Sequence, residues 1–181
     1  MEEILKIDSE IKSYIDNIEL HAKKLKFNPL GEFKLDLNNV GGIPWHTFHY
    51  PGIYLFEIKN NGQSDDFISW AENFKHQWMD ERYVKCFTPN LTKKRVKVHT
   101  ELSEWIPIYI GKSHDVEGRV HQHIFKNLES TTFALKLNSR ENLYSETFRI
   151  SSLEIDLKNY NALMPLIEWT LREKFNPILG R

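Results

Sequence analysis

A single cysteine, Cys86, stands among the 181 residues. That excludes an intramolecular disulfide framework and leaves no cysteine-rich zinc set, and a reducing, cytoplasmic setting is expected. The opening residues MEEILKIDSE are acidic and amphipathic, whereas a secretory leader is basic and then apolar. No apolar run approaches the roughly 20 residues that a membrane helix requires, so no membrane partner is expected. Neither charge sign prevails: 24 Lys and Arg stand against 25 Asp and Glu, a net charge of −1. The chain also has no internal repeat and no low-complexity segment.

Three short strings point nowhere. Gly111-Lys112-Ser113 resembles the tail of a P-loop, but Ile106 stands where the earlier glycine is needed. His121 and His123 are two residues apart and face away from each other on a helix, so they make no zinc pair. Asn90-Leu91-Thr92 is a glycosylation string without meaning in a cytoplasmic protein.

What is present suits one compact domain: 40% of residues are apolar and 13% aromatic, enough for a core without a staple. Charge is unevenly spread. Residues 1–80 hold 8 basic and 13 acidic side chains, 81–140 hold 11 and 6, and 141–181 hold 5 and 6. The basic middle third is where a phosphate-binding face would lie.

Ile7, Ile11, Tyr14, Ile15, Ile18, Ala22 and Leu25 recur at three- and four-residue steps, predicting a helix over 7–26. Phe33, Leu35 and Leu37 alternate as a short strand, and Asn38 to Gly42 is a turn signal. GIYLFEI (52–58) and WIPIYIG (105–111) read as core strands, with Leu153, Ile155 and Leu157 as a third. Phe67, Trp70, Ala71, Phe74 and Trp78 predict a helix over 66–81. The basic stretch after it, with Val96 and Val98 alternating, reads as a hairpin arm. Asp115 is the expected N-cap of a helix over 115–128. TTFALKL (131–137) fits a strand or a helix equally, and 161–175 is a closing helix ended by Pro177 and Gly180. The order implies an α/β (α+β) fold, a small three-stranded antiparallel or mixed sheet flanked by helices. Residues 1–50 form an N-terminal extension, 60–105 an inserted helix and hairpin, and 52–59 with 105–181 the core.

From Gly52 onward, about 130 of the 181 residues, the chain resembles the GIY-YIG nucleases. Gly52-Ile53-Tyr54 and Tyr109-Ile110-Gly111 match the two tripeptides. Lys112 follows the second glycine, Arg119 lies ten residues beyond Tyr109, and His123 stands one helical turn later. Glu168 matches the lone glutamate of the later helix, followed by Phe175-Asn176-Pro177. Two departures stand out. Gly180 occupies the position where the family commonly has Asn; Asn176 precedes the Pro and does not match the pattern. The tyrosines are 55 residues apart, which makes 60–105 an insertion.

The resemblance implies a metal-dependent endonuclease acting on DNA phosphodiesters, double-stranded DNA foremost, in the manner of a restriction enzyme. Glu168 is implied as the ligand of one Mg²⁺ (or Mn²⁺), whose water-retaining shell tolerates a single carboxylate. Arg119 is implied on the scissile phosphate, Tyr54 or Tyr109 with Lys112 on the attacking water, and His123 as a proton acceptor or relay. A phenol with a pKa near 10 is a poor base at neutral pH without a cation beside it, a reason to expect Lys112 and Arg119 nearby. Lys85, Lys93, Lys94, Arg95 and Lys97 of the insertion are candidate phosphate contacts. A homodimer is expected, with helix 7–26 as its interface. The alternatives are a non-catalytic DNA-binding module and a repair, homing or RNA nuclease with the same site.

Overall fold

The computed structural model describes residues 1–35, 41–85 and 87–180. The Asn38–Val40 part of the expected turn, Leu37 and Cys86 lie outside the described residues. The elements run α1 (Glu2–Ala22), β1 (Asn28–Lys34), β2 (Gly52–Lys59), α2 (Phe67–Trp78), α3 (Lys93–Val96), β3 (Trp105–Ser113), α4 (Val116–Phe125), β4 (Thr147–Glu154) and α5 (Tyr160–Phe175).

The sheet has four strands rather than three, in the order β1-β4-β2-β3, and every pairing is antiparallel. The additional strand is β1, which adds onto β4 and carries Pro29, a residue tolerated because this strand lies at the sheet edge. Phe33 belongs to β1, and Leu35, just past its end, is fully buried.

β2 is central and buried along nearly its whole length. Its alternate residues feed two cores, one on each face. Ile53 and Leu55 join Ile110, Leu153, Met164 and Leu171 under α5. Tyr54, Phe56 and Ile58 join Phe74, Trp78, Val120 and Ile124 under α2 and α4. The 60–105 segment therefore shares the main core through the stacked rings Trp70, Phe74 and Trp78.

Asp66 and Asp115 cap α2 and α4, accepting the backbone N–H of Ser69 and Gly118. Four sequence expectations need correction. The helix expected over 7–26 spans Glu2–Ala22, and the third core strand ends at Glu154, so Ile155 and Leu157 lie beyond it. Residues 93–96 form one turn of helix, not a hairpin arm: alternation at Val96 and Val98 is too short a signal against Thr92, which sits at the helix N-cap. Residues 131–136 form neither strand nor helix. They are irregular and lead into two 3₁₀ turns, Leu137–Ser139 and Glu141–Leu143.

That irregular segment is held by buried cations. Arg140, fully buried, donates to the carbonyls of Leu135 (3.1 Å), Trp78 (3.1 Å) and Tyr83 (3.2 Å), and its guanidinium lies 3.7 Å from the Trp78 ring centre. The bond to Trp78 ties the 135–140 loop to α2. Lys136, in a left-handed backbone conformation, donates to the carbonyls of Leu128 (3.0 Å) and Ser130 (2.5 Å). No helix among the described residues is long and apolar enough to cross a membrane.

Candidate active site

β3 is an edge strand, so side chains from both of its faces meet over its outer side. Strict alternation along WIPIYIG would place Tyr109 opposite Ile106 and Ile108. Pairing between β2 and β3 is instead broken by a bulge: Phe56 faces Tyr109 and Glu57 faces Pro107, leaving Ile108 as the extra residue. The bulge turns Tyr109 to the same side as Tyr54, in the main core, and sends Ile110 to the α5 side. The two tyrosine rings lie 6.3 Å apart, inclined by 26°.

The motif glycines have steric reasons. A Cβ on Gly111 would stand 2.3 Å from Tyr54 Oη, and one on Gly52 would stand 2.0 Å from the Leu153 carbonyl oxygen. Gly111 therefore leaves the space that the Tyr54 phenol crosses, and Gly52 lets β2 lie against β4.

His123 sits between the tyrosines, fully buried, its ring 4.8 Å from that of Tyr109. The Leu135 backbone N–H donates to its Nδ1 (3.1 Å), so the neutral ring carries its proton on Nε2. Nε2 then donates to Tyr54 Oη (2.9 Å). In this arrangement His123 cannot take a proton from Tyr54; it fixes the phenol and leaves the phenol proton directed elsewhere. Burial, and next the Arg119 charge, hold its pKa well below 6.5.

Arg119 donates to Gln122 Oε1 (2.6 Å) and to the Phe133 carbonyl, and its charge acts on both tyrosines. Burial raises both phenol pKa values, that of Tyr54 well above 10. Tyr109 is pulled back down by Arg172 and then Arg119; Tyr54 is raised further by Tyr109.

On the α5 side, Lys112 Nζ donates to Glu168 Oε2 at 2.9 Å. Arg172, one helical turn after Glu168, lies 3.7 Å from Oε1 and donates to the Ile110 carbonyl (3.0 Å), with its guanidinium 5.9 Å from the Tyr109 ring centre. Arg172 thus joins the two halves of the site. Sequence reasoning passed over it, although Glu168 and Arg172 at i,i+4 are a readable pair.

Gly180 has a positive φ of 105°, and a Cβ there would meet Arg172 Nη2 at 3.4 Å and Tyr109 Cε2 at 3.6 Å. The residue is therefore at the site, with the Arg172 guanidinium beside it. Asn176 instead terminates α5: its side chain donates to the Glu173 carbonyl.

The cations of the insertion divide. Lys93, Lys94 and Lys97 are exposed on and beside α3, and Lys85 pairs with Glu129 at 3.3 Å. Arg95 is buried and donates to the Arg172 carbonyl (2.6 Å) and to Glu173 (2.9 Å), so it anchors α3 to α5 and is not a free phosphate contact. α3 lies next to the site, because Thr92 donates to the Gly180 carbonyl and Leu91 bridges to Leu179.

No cluster of three or more His, Cys, Asp or Glu side chains suited to a metal occurs among the described residues. A metal could only be held by Glu168 with water and substrate oxygens. Oε2 accepts from Lys112, and Oε1 faces Arg172 at 3.7 Å, beyond hydrogen-bond distance. That donor set fits one water-retaining Mg²⁺. No family model, no curated protein and no solved structure matches the chain.

Proposed function

We propose that the chain is a Mg²⁺-dependent endonuclease of the GIY-YIG type that hydrolyses DNA phosphodiesters. One observation carries this reading: side chains up to 114 positions apart in sequence, Tyr54, Tyr109, Lys112, Arg119, His123 and Glu168, gather over one strand edge. Phosphodiester hydrolysis needs such a mixture, with cations for the phosphate, a carboxylate for a metal and a polar group for the water.

Arg119 binds the scissile phosphate, exchanging the neutral acceptors Gln122 and Phe133 for a charged one. Of the two tyrosines, Tyr109 is the better activator of water, because Arg172 and Arg119 both favour its ionised form. Tyr54, more deeply buried and bonded by His123, orients the nucleophile or phosphate with its own proton. Lys112 moves between Glu168 and the incoming phosphate. Mg²⁺ held by Glu168 would supply charge for the phosphate and the leaving oxygen. Lys93, Lys94 and Lys97 contact flanking phosphates.

Two copies are needed to cut both strands together. The face of α1 bearing Ile4, Ile7, Ile11 and Tyr14 is at least half exposed and is the contact we assign to that pairing.

Plasmid cleavage tests the reading. Wild type should linearise supercoiled DNA with Mg²⁺ and not with EDTA, Glu168→Ala and Arg119→Ala should lose at least 100-fold in rate (on the order of one electrostatic contact in a transition state), and Ile7→Asp/Ile11→Asp should nick without linearising. Equal nicking by wild type and by the Glu168 and Arg119 variants defeats the catalytic assignment. The hold of Lys112 and Arg172 on Glu168 favours one rival, a DNA-binding module without catalysis. That rival requires duplex binding and no cleavage with any metal. A panel of single-stranded, double-stranded and RNA oligonucleotides separates DNA cutting from RNA cutting.

A further inference from the structure

Two glutamates of the fold are equally buried, each 8% exposed. Glu57 is met by both arms of Arg149, at 2.7 and 2.8 Å, as a buried carboxylate requires. Glu146 has no such partner. It sits just before β4, burial raises its carboxyl pKa above the usual value against the Gln77 side chain and then the Lys34 charge, and no ion pair reaches it among the described residues. Its carboxyl group lines a depression of about 400 Å³ whose floor includes Ile58, Trp70 and Phe74. Four carboxamides surround the same space: Asn61, Gln63, Asn73 and Gln77.

This chemistry is selective. A recessed carboxylate accepts and cannot donate, so it calls for a ligand edge bearing N–H groups. Carboxamides donate and accept together, which suits the mixed edge of a flat heterocycle. Two adjacent N–H groups converging on one carboxylate are found at N1 and N2 of guanine, with O6 beside them as an acceptor for an amide NH₂. Because Glu146 is recessed, a base can reach it only by leaving the stack.

The depression also lies along the strand that carries the candidate site. Ile58 follows Tyr54 by four residues on the same face of β2, roughly 13 Å at the strand rise. That spans about four nucleotide steps of 3.4 Å. We propose that this pocket holds an unstacked guanine base of the bound nucleic acid and so sets where the strand is cut. The proposal rests on the nuclease reading for its biological use, but base binding is measured separately from cleavage.

The test follows the side-chain amide NMR signals of Asn73 and Gln77 in metal-free full-length protein titrated with GMP, IMP, AMP and CMP. All four share the phosphate, so differences among them report the base. GMP should move both signals saturably, and IMP, which lacks the N2 amino group, should bind at least tenfold more weakly, as should AMP. Glu146→Gln should weaken GMP at least tenfold, and Asn73→Ala, on the exposed face of α2, severalfold should Glu146→Gln not fold. Arg119→Ala should leave the GMP-to-IMP ratio unchanged. Equal binding of GMP and IMP, or no movement of either signal, overturns the proposal whether or not the protein cleaves DNA.

Discussion

His123 has its tautomer determined by something outside its own side chain. The Leu135 amide hydrogen claims Nδ1, so the imidazole is a fixed donor to Tyr54 and is buried without charge. The residue type and its spacing from Arg119 were legible in the sequence; its direction of donation was not, because it depends on a backbone group in a segment with no regular structure. A stability consequence follows. The unfolded chain protonates His123 as pH falls through about 6.5, while the folded chain resists until a much lower pH. Folding is therefore favoured above that value and weakens below it, by about 1.4 kcal/mol per pH unit for one proton. Urea midpoints at pH 7.5, 6.0 and 5.0 should fall more steeply for wild type than for His123→Gln, which keeps a donor and an acceptor without titrating. Parallel pH profiles would remove His123 as the acid-sensitive group.

Among the elements, helices with a strong apolar period were read to within a few residues. The 66–81 expectation became Phe67–Trp78, and 161–175 became Tyr160–Phe175. The short strand expected from Phe33 onward lies earlier, as β1 over Asn28–Lys34, and was not counted in the sheet, because Pro29 and Gly31 interrupt its pattern and only its edge position excuses both. The α3 turn and the 131–136 segment were illegible for a common reason: each is set by partners far away in sequence. Arg140 shows how strongly. Its three carbonyl partners come from α2, the loop after it and the 135–140 segment, so the buried charge joins the insertion to the core. Arg140→Leu would leave three buried carbonyls unbonded. The expected loss is about 3 kcal/mol or more, read from urea denaturation. A loss below about 1 kcal/mol would mean that water replaces the guanidinium without penalty.

At the scale of the whole molecule, a net charge of −1 conceals a separation of signs that matters for any polyanion partner. Lys93, Lys94 and Lys97 are exposed beside the candidate site, whereas Arg95, indistinguishable from them in sequence, is held by Glu173. Each phosphate neutralised should contribute about 0.9 to the slope of log affinity against log salt. Replacing the three lysines with Ala should therefore flatten the slope for duplex DNA by about 2 to 3. Arg95→Ala should instead lower the melting temperature and leave the slope of the folded fraction nearly unchanged. An unchanged slope for the triple variant would move the phosphate track elsewhere.

The bulge at Ile108 gives the site a property of parity. A strand that loses one residue still pairs, still offers apolar side chains to both layers and still folds, but every position after the deletion changes sides. Removing Ile108 is the exception: it has no partner on β2, so its loss abolishes the bulge, keeps Glu57 opposite Pro107 and Phe56 opposite Tyr109, and leaves Tyr109 beside Tyr54. Removing Ile110 instead would carry Gly111 and Lys112 to the opposite faces. The strand thus tolerates exchange of one apolar residue for another, and a change in their number only at the bulge. The count of residues between the two tyrosine motifs is free inside the insertion, and once the chain re-enters β3 it has one place of slack, at Ile108.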